Sequence, residues 1–266
     1  MRPPKVSVVM GVWNGEAHVE ESCQSILNQT FQDFQIIVID DGSHDQTVQK
    51  VRQIRDERII LKTIQHGGLT KALNHGLFLA RGFYVARMDA DDIALPERFE
   101  KQVQYLDQHP RVALLGTAYE IISEDGRRQT PRLPVLTTSF KIKRALPKFN
   151  PFCHGSMMIR REALERVGFY DERFRLAQDY DLWFRIAREY EMGNLSEVLL
   201  LRREGKMTVQ RERRQNLYAI IIRLKAIRDG NSHFFNAVYM IRPLIVVLAP
   251  TWLKRWIRRW LQLAHG

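Results

Sequence analysis

The chain has 266 residues, of which 45% are hydrophobic and 27% charged, with two cysteines and a formal net charge of +11. This composition excludes a disordered or low-complexity protein. The two distant cysteines exclude a disulfide scaffold or a cysteine-rich zinc site and fit a reducing compartment. Residues 1–201 are neutral overall, whereas residues 202–266 carry 14 basic and 3 acidic side chains. A basic tail behind a neutral body predicts an anionic partner, either nucleic acid or membrane.

Short apolar runs alternate with helix-like segments over the first 122 residues. The run Val6–Val12 is continuous and β-branched, which is typical of a strand buried on both faces; because it is a core strand, we expect no signal peptide. Further strands are predicted at 34–39, 58–64, 83–88 and 112–122, separated by helices at 16–29, 43–54, 70–80 and 96–108. This alternation predicts an α/β fold with a mostly parallel central sheet flanked by helices.

The rest of the body is less regular. A turn is predicted at 124–126, helices at 137–146, 161–167 and 178–190, and strands at 156–160 and 195–202. The motifs GxxxxGK[ST], GxGxxG, HExxH and GxSxG are absent from the sequence. Their absence argues against a P-loop protein, a dinucleotide-binding fold of the usual type, and the hydrolases with those signatures.

Polar or acidic residues follow three of the predicted strands. They are Trp-Asn-Gly at 13–15, Asp-Asp-Gly-Ser at 40–43 and Asp-Ala-Asp-Asp at 89–92. The carboxyl ends of parallel strands meet at one edge of an open sheet, where ligands bind. Five carboxylates there would repel one another unless a cation or hydrogen-bond donors neutralised them, and oxygen ligands favour Mg²⁺ or Mn²⁺ beside substrate phosphates. The alternative is that these aspartates are helix caps and turn formers.

Five motifs resemble the family 2 glycosyltransferases of the GT-A fold. They are VSVVMGVWNGE at 6–16, DDGS at 40–43, GLTKALNHGL at 68–77, RMDADD at 87–92 and QDYDLWFRIA at 178–187. The resemblance implies a GT-A (Rossmann-like) catalytic domain over 1–205, followed by a basic helical tail over 206–266. It also implies a nucleotide-diphospho-sugar donor, with a UDP-sugar expected, a divalent cation, and inverting transfer to a glycan or lipid-linked acceptor in cell-surface polysaccharide synthesis.

The resemblance implies roles for the aspartates at the strand ends. Asp41, with Asp40 beside it, would hydrogen-bond the base of the donor. Asp89 and Asp91 would form the DxD pair at ribose and metal, and Asp92 would share the metal. Such a metal neutralises the charge that develops on the departing nucleoside diphosphate.

Asp179 matches the catalytic base of the family. It would take the proton from the acceptor hydroxyl as that oxygen attacks. Gln178 stands where glutamate is commoner, which removes one negative charge beside the base. The alternative role for Asp179 is the N-cap of a helix over 180–190, and the two roles are compatible.

Weaker candidates complete the expected donor site. Lys71 would approach the donor, unless it belongs to a solvated helix face, and His154 would lie near the acceptor or diphosphate, unless it is structural. Arg202 and Arg203 stand where the family places an arginine near the diphosphate, although the later histidine of the family is missing. The remaining donor-binding candidates are Val12, Asn14 and Ala90.

Residues 251–265 predict an amphipathic helix. Three tryptophans, Trp252, Trp256 and Trp260, share one face, and the lysine and arginines share the other. This pattern is typical of a helix lying in anionic headgroups, although it could also pack on the body or on a partner subunit. The apolar run 243–253 is too short to predict a transmembrane helix. We therefore expect a cytoplasmic enzyme associated peripherally with the inner face of the cell membrane.

Two other functions are consistent with parts of the sequence. A nucleotidyltransferase also uses a metal and a nucleotide crevice, but it needs no QDYDLW base motif. A nucleic-acid-binding protein could use the basic tail, but its aromatic side chains would be expected among the cations, not opposite them. We therefore expect no nucleic-acid partner.

Overall fold

The structure is a computed structural model that describes residues 2–129, 135–205 and 208–248. The chain divides into two compact units, Met1–Gly205 and Lys206–Gly266. The amphipathic helix predicted at 251–265 lies outside the described residues.

The first unit contains nine strands and seven α-helices within the described ranges. The strands are β1 (Val6–Val12), β2 (Phe34–Asp40), β3 (Ile59–Thr63), β4 (Tyr84–Arg87), β5 (Ile93–Ala94), β6 (Val112–Ile122), β7 (Arg128–Gln129), β8 (Met158–Arg160) and β9 (Glu191–Arg203). The helices are α1 (Val19–Leu27), α2 (Thr47–Gln53), α3 (Leu69–Leu79), α4 (Arg98–Gln108), α5 (Ser139–Ala145), α6 (Arg161–Val167) and α7 (Gln178–Glu189). A 3₁₀ turn spans His154–Ser156.

The strands form one sheet in the order β3-β2-β1-β4-β8-β6-β9-β5, with β7 added to β6. The first four strands are parallel to one another, as predicted. The other half is mixed, because β8 runs antiparallel to both β4 and β6. An antiparallel strand needs no helical crossover, so β8 can follow the segment that carries α5 and the 3₁₀ turn. The chain leaves β1 towards β2 and returns on its other side for β4, which makes the end of β1 a topological switch point where ligand sites form.

Apolar strands and the helices on both faces build the core. All seven residues of β1 are buried, because helices cover both faces of a parallel sheet. Gly76 brings α3 against this strand: a Cβ there would lie 2.4 Å from Val9 Cγ1. Close packing at this point holds α3, and with it the loop before the helix, at the carboxyl edge of the sheet.

The described part of the second unit contains α8 (Val209–Arg228), a 3₁₀ segment (Phe234–Met240) and α9 (Ile241–Leu248). Thr208 caps α8, since its hydroxyl accepts a hydrogen bond from Arg211 N at 3.2 Å. Of the helices in the described residues, none combines the length and the apolar character needed to cross a membrane.

Candidate active site

The loops after β1 and β2 are joined by hydrogen bonds. Asn14, which adopts a left-handed conformation with φ of 50°, donates from its backbone N–H to Ser43 Oγ at 2.8 Å and accepts from His44 N at 2.9 Å. The sequence predicts a helix over 43–54 in this region. The helix instead begins at Thr47, and the side chains of Ser43 and Asp45 bind the loop after β1. Asn14 therefore holds the loop after β1 against the loop after β2, at the switch point of the sheet.

Asp41 is held rigidly at the end of β2. Its two carboxylate oxygens accept one backbone hydrogen bond each, from Gly67 N and Gly68 N, both at 2.8 Å. Gly68 has φ of +94°, a conformation that favours glycine. The ring nitrogen His66 Nδ1 lies 3.0 Å from Asp41 Oδ2. The backbone of Asp41 also donates to Val12 O at 2.8 Å, so the carboxylate is fixed relative to β1.

A cavity of about 200 Å³ lies beside Asp41. It is lined by Gly11, Val12, Trp13, Asp41, His66, Gly68, Leu69 and Ala72. The rings of Trp13 and His66 pack with centroids 4.7 Å apart at 31°, and 51% of Trp13 is exposed. A flat aromatic wall beside a fixed carboxylate suits a planar heterocycle that carries a ring N–H.

Asp40 and Lys71 differ in their relation to this cavity. Asp40 is fully buried, and its carboxylate accepts a hydrogen bond from Ser43 N at 3.3 Å. This bond places the Asp40 side chain in the turn after β2, whereas Asp41 lines the cavity. The exposed Lys71 lies against the loop that holds Asp41, since a Cβ on Gly67 would come within 2.6 Å of Lys71 Cδ.

The acidic loop after β4 brings Asp89, Asp91 and Asp92 to the same edge. Asp89 Oδ1 forms an ion pair with Nη1 of the buried Arg87, with the two atoms 2.5 Å apart. Ala90 is half-buried and Asp91 is exposed. Asp92 is buried: its Oδ1 accepts from Arg203 N at 2.9 Å, while its Oδ2 has no hydrogen-bond partner among the described residues.

The negative charges of this loop are neutralised only in part, since Arg87 pairs with Asp89 but not with Asp91 or Asp92. Burial, followed by repulsion from Asp89 and Asp91, raises the pKa of Asp92 well above its usual range. Desolvation, followed by repulsion from Asp89, raises the pKa of Asp91. Gly155 faces the cluster, and a Cβ there would lie 2.6 Å from Asp92 Oδ2 and 3.2 Å from Asp89 Oδ2. The loop thus concentrates negative charge around a small space that only a glycine leaves open.

Arg203 belongs to β9 and holds the acidic loop in place. Its guanidinium donates to Asp91 O at 3.0 Å, to Glu124 O at 2.9 Å and to Glu21 Oε2 at 2.8 Å. Because these bonds engage it, the expected diphosphate contact of Arg203 is corrected to a scaffolding role. Arg202 is exposed, and its charge interacts with the acidic loop.

Asp179 lies in the first turn of α7 and is 9% exposed. Ala177, with φ of 58°, is the N-cap, and Asp179 lies inside the helix, two positions after the cap. The alternative role of Asp179 as the cap is therefore wrong. Asp179 Oδ2 accepts a hydrogen bond from Asn150 Nδ2 at 2.7 Å. Burial raises the pKa of Asp179, although Asn150 and Arg87 partly oppose the shift.

His154 lies in the 3₁₀ turn beside Gly155. Its Nε2 is 2.7 Å from the hydroxyl of Tyr170, and its ring packs edge-on against Tyr170 and Trp183. Burial, then the positive charge of Arg87, lowers the pKa of His154 well below its usual value. His154 is therefore a neutral, hydrogen-bonded member of the site wall.

The three predicted metal ligands do not form a complete site by themselves. In the described part of the chain, no three His, Cys, Asp or Glu side chains are grouped closely enough to hold a metal ion. The oxygens of Asp89 and Asp91 nevertheless suit Mg²⁺ or Mn²⁺, which bind one or two carboxylates and take further ligands from water and phosphate. The space in front of Gly155 and the unpartnered oxygen of Asp92 are consistent with a cation nearby.

The sequence interpretation missed several residues of this edge. An aromatic residue directly after a strand could have indicated Trp13, and the His-Gly-Gly step could have indicated His66. Asn150 has no sequence signal that would have indicated a role in the site. The missed residues are Trp13, His66, Arg87, Asn150 and Tyr170.

The sequence is similar to named glycosyltransferases. A family model described as Glycosyl transferase family 2 matches residues 7–168. EpsE of Bacillus subtilis (strain 168), named as a glycosyltransferase, is 35% identical over 257 residues, which cover 93% of this chain and 90% of EpsE. The O-antigen biosynthesis glycosyltransferase WbnJ of Escherichia coli is 34% identical over 215 residues, which cover 77% of this chain and 82% of WbnJ.

The fold is similar to two solved nucleotide-sugar complexes. S. aureus TarS 1–349 in complex with UDP-GlcNAc has a TM-score of 0.71 and 19% identity, covering 91% of this chain and 72% of the TarS chain. The mannosyltransferase PcManGT from Pyrobaculum calidifontis, in complex with GDP-Man and Mn²⁺, has a TM-score of 0.64 and 18% identity. That match covers 100% of this chain and 82% of the other.

Proposed function

The chain belongs to glycosyltransferase family 2 and is a glycosyltransferase, and from this premise we propose that it transfers a sugar from a UDP-sugar, with inversion, to a hydroxyl of a glycan or lipid-linked acceptor. The observation that carries the proposal is one sheet edge that combines the Asp41 cavity, the acidic loop and the buried carboxylate of Asp179. The O-antigen role in the name of WbnJ supports a place in cell-surface polysaccharide synthesis.

The donor base occupies the cavity beside Asp41 in this proposal. The Asp41 carboxylate accepts the ring N–H of uracil, and Trp13 and His66 cover the face of the base. Both carboxylate oxygens are already oriented by backbone donors, so little ordering is required when the base binds. The stem of Lys71 packs beside Gly67, whose backbone N–H binds Asp41.

The diphosphate lies over the acidic loop. Asp91, assisted by Asp89, would hold a Mg²⁺ or Mn²⁺ ion, which when bound neutralises charge on the leaving diphosphate. The buried Asp92 supports the loop from behind, through the backbone of Arg203. Arg202 supplies a further positive charge on the exposed side.

Asp179 activates the acceptor. Its carboxylate takes the proton of the acceptor hydroxyl while that oxygen forms a bond to the anomeric carbon of the donor sugar. The bond between the anomeric carbon and the diphosphate oxygen breaks at the same time, and its electron pair leaves with the nucleoside diphosphate. A single displacement of this kind inverts the anomeric centre, and burial makes Asp179 a stronger base than a solvated carboxylate.

A donor panel tests the proposal. The protein is screened by thermal shift against UDP-, GDP- and ADP-sugars, with and without Mn²⁺, since a ligand bound only by the folded state raises Tm by mass action. We expect the largest shift with one UDP-sugar and Mn²⁺, followed by release of UDP when the acceptor is supplied. Stabilisation by GDP-sugars alone would contradict the UDP assignment, and no shift with any nucleotide sugar would contradict the donor class.

We also propose that the second unit attaches the enzyme to the inner, anionic face of the cell membrane. Leu244, Ile245 and Leu248 of α9 are 46%, 60% and 71% exposed. The sequence that follows continues with tryptophans and four basic residues at 254–259. Each basic residue near an anionic surface contributes about 1 kcal/mol, and salt screens this attraction.

Vesicle co-sedimentation tests the attachment. The full chain and a chain truncated after Pro250 are mixed with anionic or neutral vesicles at low and high salt. We expect the full chain to bind anionic vesicles at low salt and the truncated chain to bind much less. Equal binding by the two chains would show that residues 251–266 do not form the anchor.

A further inference from the structure

Asn150 is fixed in one orientation beside Asp179. Its Oδ1 accepts a hydrogen bond from Phe152 N at 3.2 Å, so its amide nitrogen faces the other way, towards Asp179 Oδ2 at 2.7 Å. Pro151 follows directly and restricts Asn150 to extended backbone conformations. The amide is thus a preset donor to one particular oxygen of the buried carboxylate.

The loop that carries Asn150 is held on α7 at two further points. The Tyr180 hydroxyl donates to Leu146 O, just before the loop. Just after Asn150, the ring of Phe152 packs edge-on against Trp183, with centroids 5.7 Å apart. These contacts lie on both sides of Asn150, so its bond to Asp179 belongs to a continuous loop–helix contact.

We propose that Asn150 is a positioning residue that holds Oδ2 of Asp179 and thereby leaves Oδ1 as the oxygen that receives the acceptor proton. This inference rests on the proposed function, in which Asp179 is the base. A carboxylate held through one oxygen cannot rotate freely, so the other oxygen keeps a constant direction towards the acceptor. Such control of orientation is what converts a nearby base into an effective one.

The charges around Asp179 give the proposal a measurable consequence. Burial raises the pKa of Asp179, and the Asn150 hydrogen bond is the strongest opposing influence, ahead of the backbone N–H of Tyr180 and the positive charge of Arg87 on β4. The Tyr170 phenol also faces this group; burial raises the pKa of that phenol, so it stays neutral near pH 7. Removal of the Asn150 donor therefore raises the pKa of the base, and activity should appear only at higher pH.

The experiment compares Asn150→Ala and Asn150→Asp with the unchanged protein, using the pH dependence of kcat at saturating donor and metal. Each hydrogen bond to a carboxylate is worth on the order of one pKa unit. We expect the ascending limb to move up by about one unit in Asn150→Ala and further in Asn150→Asp, where two carboxylates compete for one proton. In Asn150→Ala, kcat at neutral pH should fall about tenfold while the donor KM stays within about twofold.

Tyr180→Phe is the matched control, because it removes the adjacent loop–helix hydrogen bond but leaves the Asn150 donor in place. A limb that moves in both Asn150 variants but not in Tyr180→Phe supports the positioning role. A limb that stays in place in both Asn150 variants, or that moves equally in Tyr180→Phe, overturns it. Asp179→Asn is measured alongside: if it keeps its activity, the proposed base is wrong, a result distinct from failure of the Asn150 inference.

Discussion

The two sides of the sheet edge satisfy their carboxylates in opposite ways. On the nucleobase side, each oxygen of Asp41 accepts a backbone N–H at 2.8 Å. On the transfer side, Asp92 is equally buried, but only its Oδ1 accepts such a bond, and repulsion from Asp89 adds to the cost of ionising it. The first side is complete before a ligand arrives. The second side carries negative charge that its own side chains leave partly uncompensated, which a bound cation would relieve.

The largest effect should come from Asp179→Asn on the transfer side. Asparagine has nearly the same shape but cannot take a proton, so donor binding should persist while kcat falls about 10²- to 10⁴-fold. Single-turnover transfer and donor affinity are measured on the same preparation. A loss below about tenfold would identify another residue as the base.

The second effect concerns the exposed carboxylate of the acidic loop. Asp91→Ala should reduce transfer by roughly 10²-fold or more. The cation that would neutralise the charge developing on the diphosphate loses one of its protein ligands in this variant. The fold should be retained, since the Asp91 side chain is exposed and Arg203 binds only its backbone oxygen. The measurement is activity over a Mn²⁺ titration, with circular dichroism as control. Full activity in excess chelator would contradict a metal-dependent donor site.

An Asp-to-Asn substitution should have opposite effects on the free energy of unfolding at Asp41 and at Asp92. Asp41→Asn places an amide N–H against a backbone N–H and loses a charge-assisted hydrogen bond, so we expect a loss of about 2 kcal/mol. Asp92→Asn removes a buried charge that lacks a partner for one oxygen and can still accept from Arg203 N. We expect a gain of about 1 to 2 kcal/mol in the free energy of unfolding at pH 7, without metal.

The pH dependence separates these effects. The folded-state pKa of Asp92 is raised, so its stabilising contribution is complete below the unfolded-state pKa and is lost as pH rises through the folded-state pKa. The advantage of Asp92→Asn should therefore be present at pH 7 and disappear below about pH 4. Urea unfolding at both pH values measures it. Destabilisation of both variants by equal amounts at pH 7 would contradict the contrast between the two sides.

The sequence predicted the elements whose residues are set by local patterns. The bounds Val6–Val12, Val112–Ile122 and Arg161–Val167 are confirmed, because buried strands and amphipathic helices carry a clear period. The direction of β8 could not be predicted, since three residues have no directional signal. The two-residue strand Ile93–Ala94 was missed, because its pairing depends on β9, about a hundred residues away.

For the site, too, the sequence predicted the residues that are adjacent in the chain but not the contacts between distant segments. The acidic loop at 89–92 was found because its residues are adjacent in the sequence. The hydrogen-bond partners of Asp92 and of Asp179 were missed or misassigned, because they come from distant segments: Arg203 N binds Asp92, and Asn150 binds Asp179. Sequence spacing therefore indicated the chemistry of the site, whereas the hydrogen bonds that fix each carboxylate required the folded chain.

The smallest expected effect is that of replacing Trp13, which tests how much the affinity for the donor depends on stacking. Trp13 packs on His66 and lines the cavity, but half of it is exposed, so its contribution to binding is limited to about 1 kcal/mol, typical of an aromatic pair. Trp13→Ala should raise the donor KM about fivefold and leave kcat unchanged, because the base is bound equally in the ground and transition states. Trp13→Tyr keeps a flat ring and should restore most of the affinity. Steady-state kinetics with varied donor measure both variants, and a fall in kcat at constant KM would mean that Trp13 belongs to the transfer side of the site.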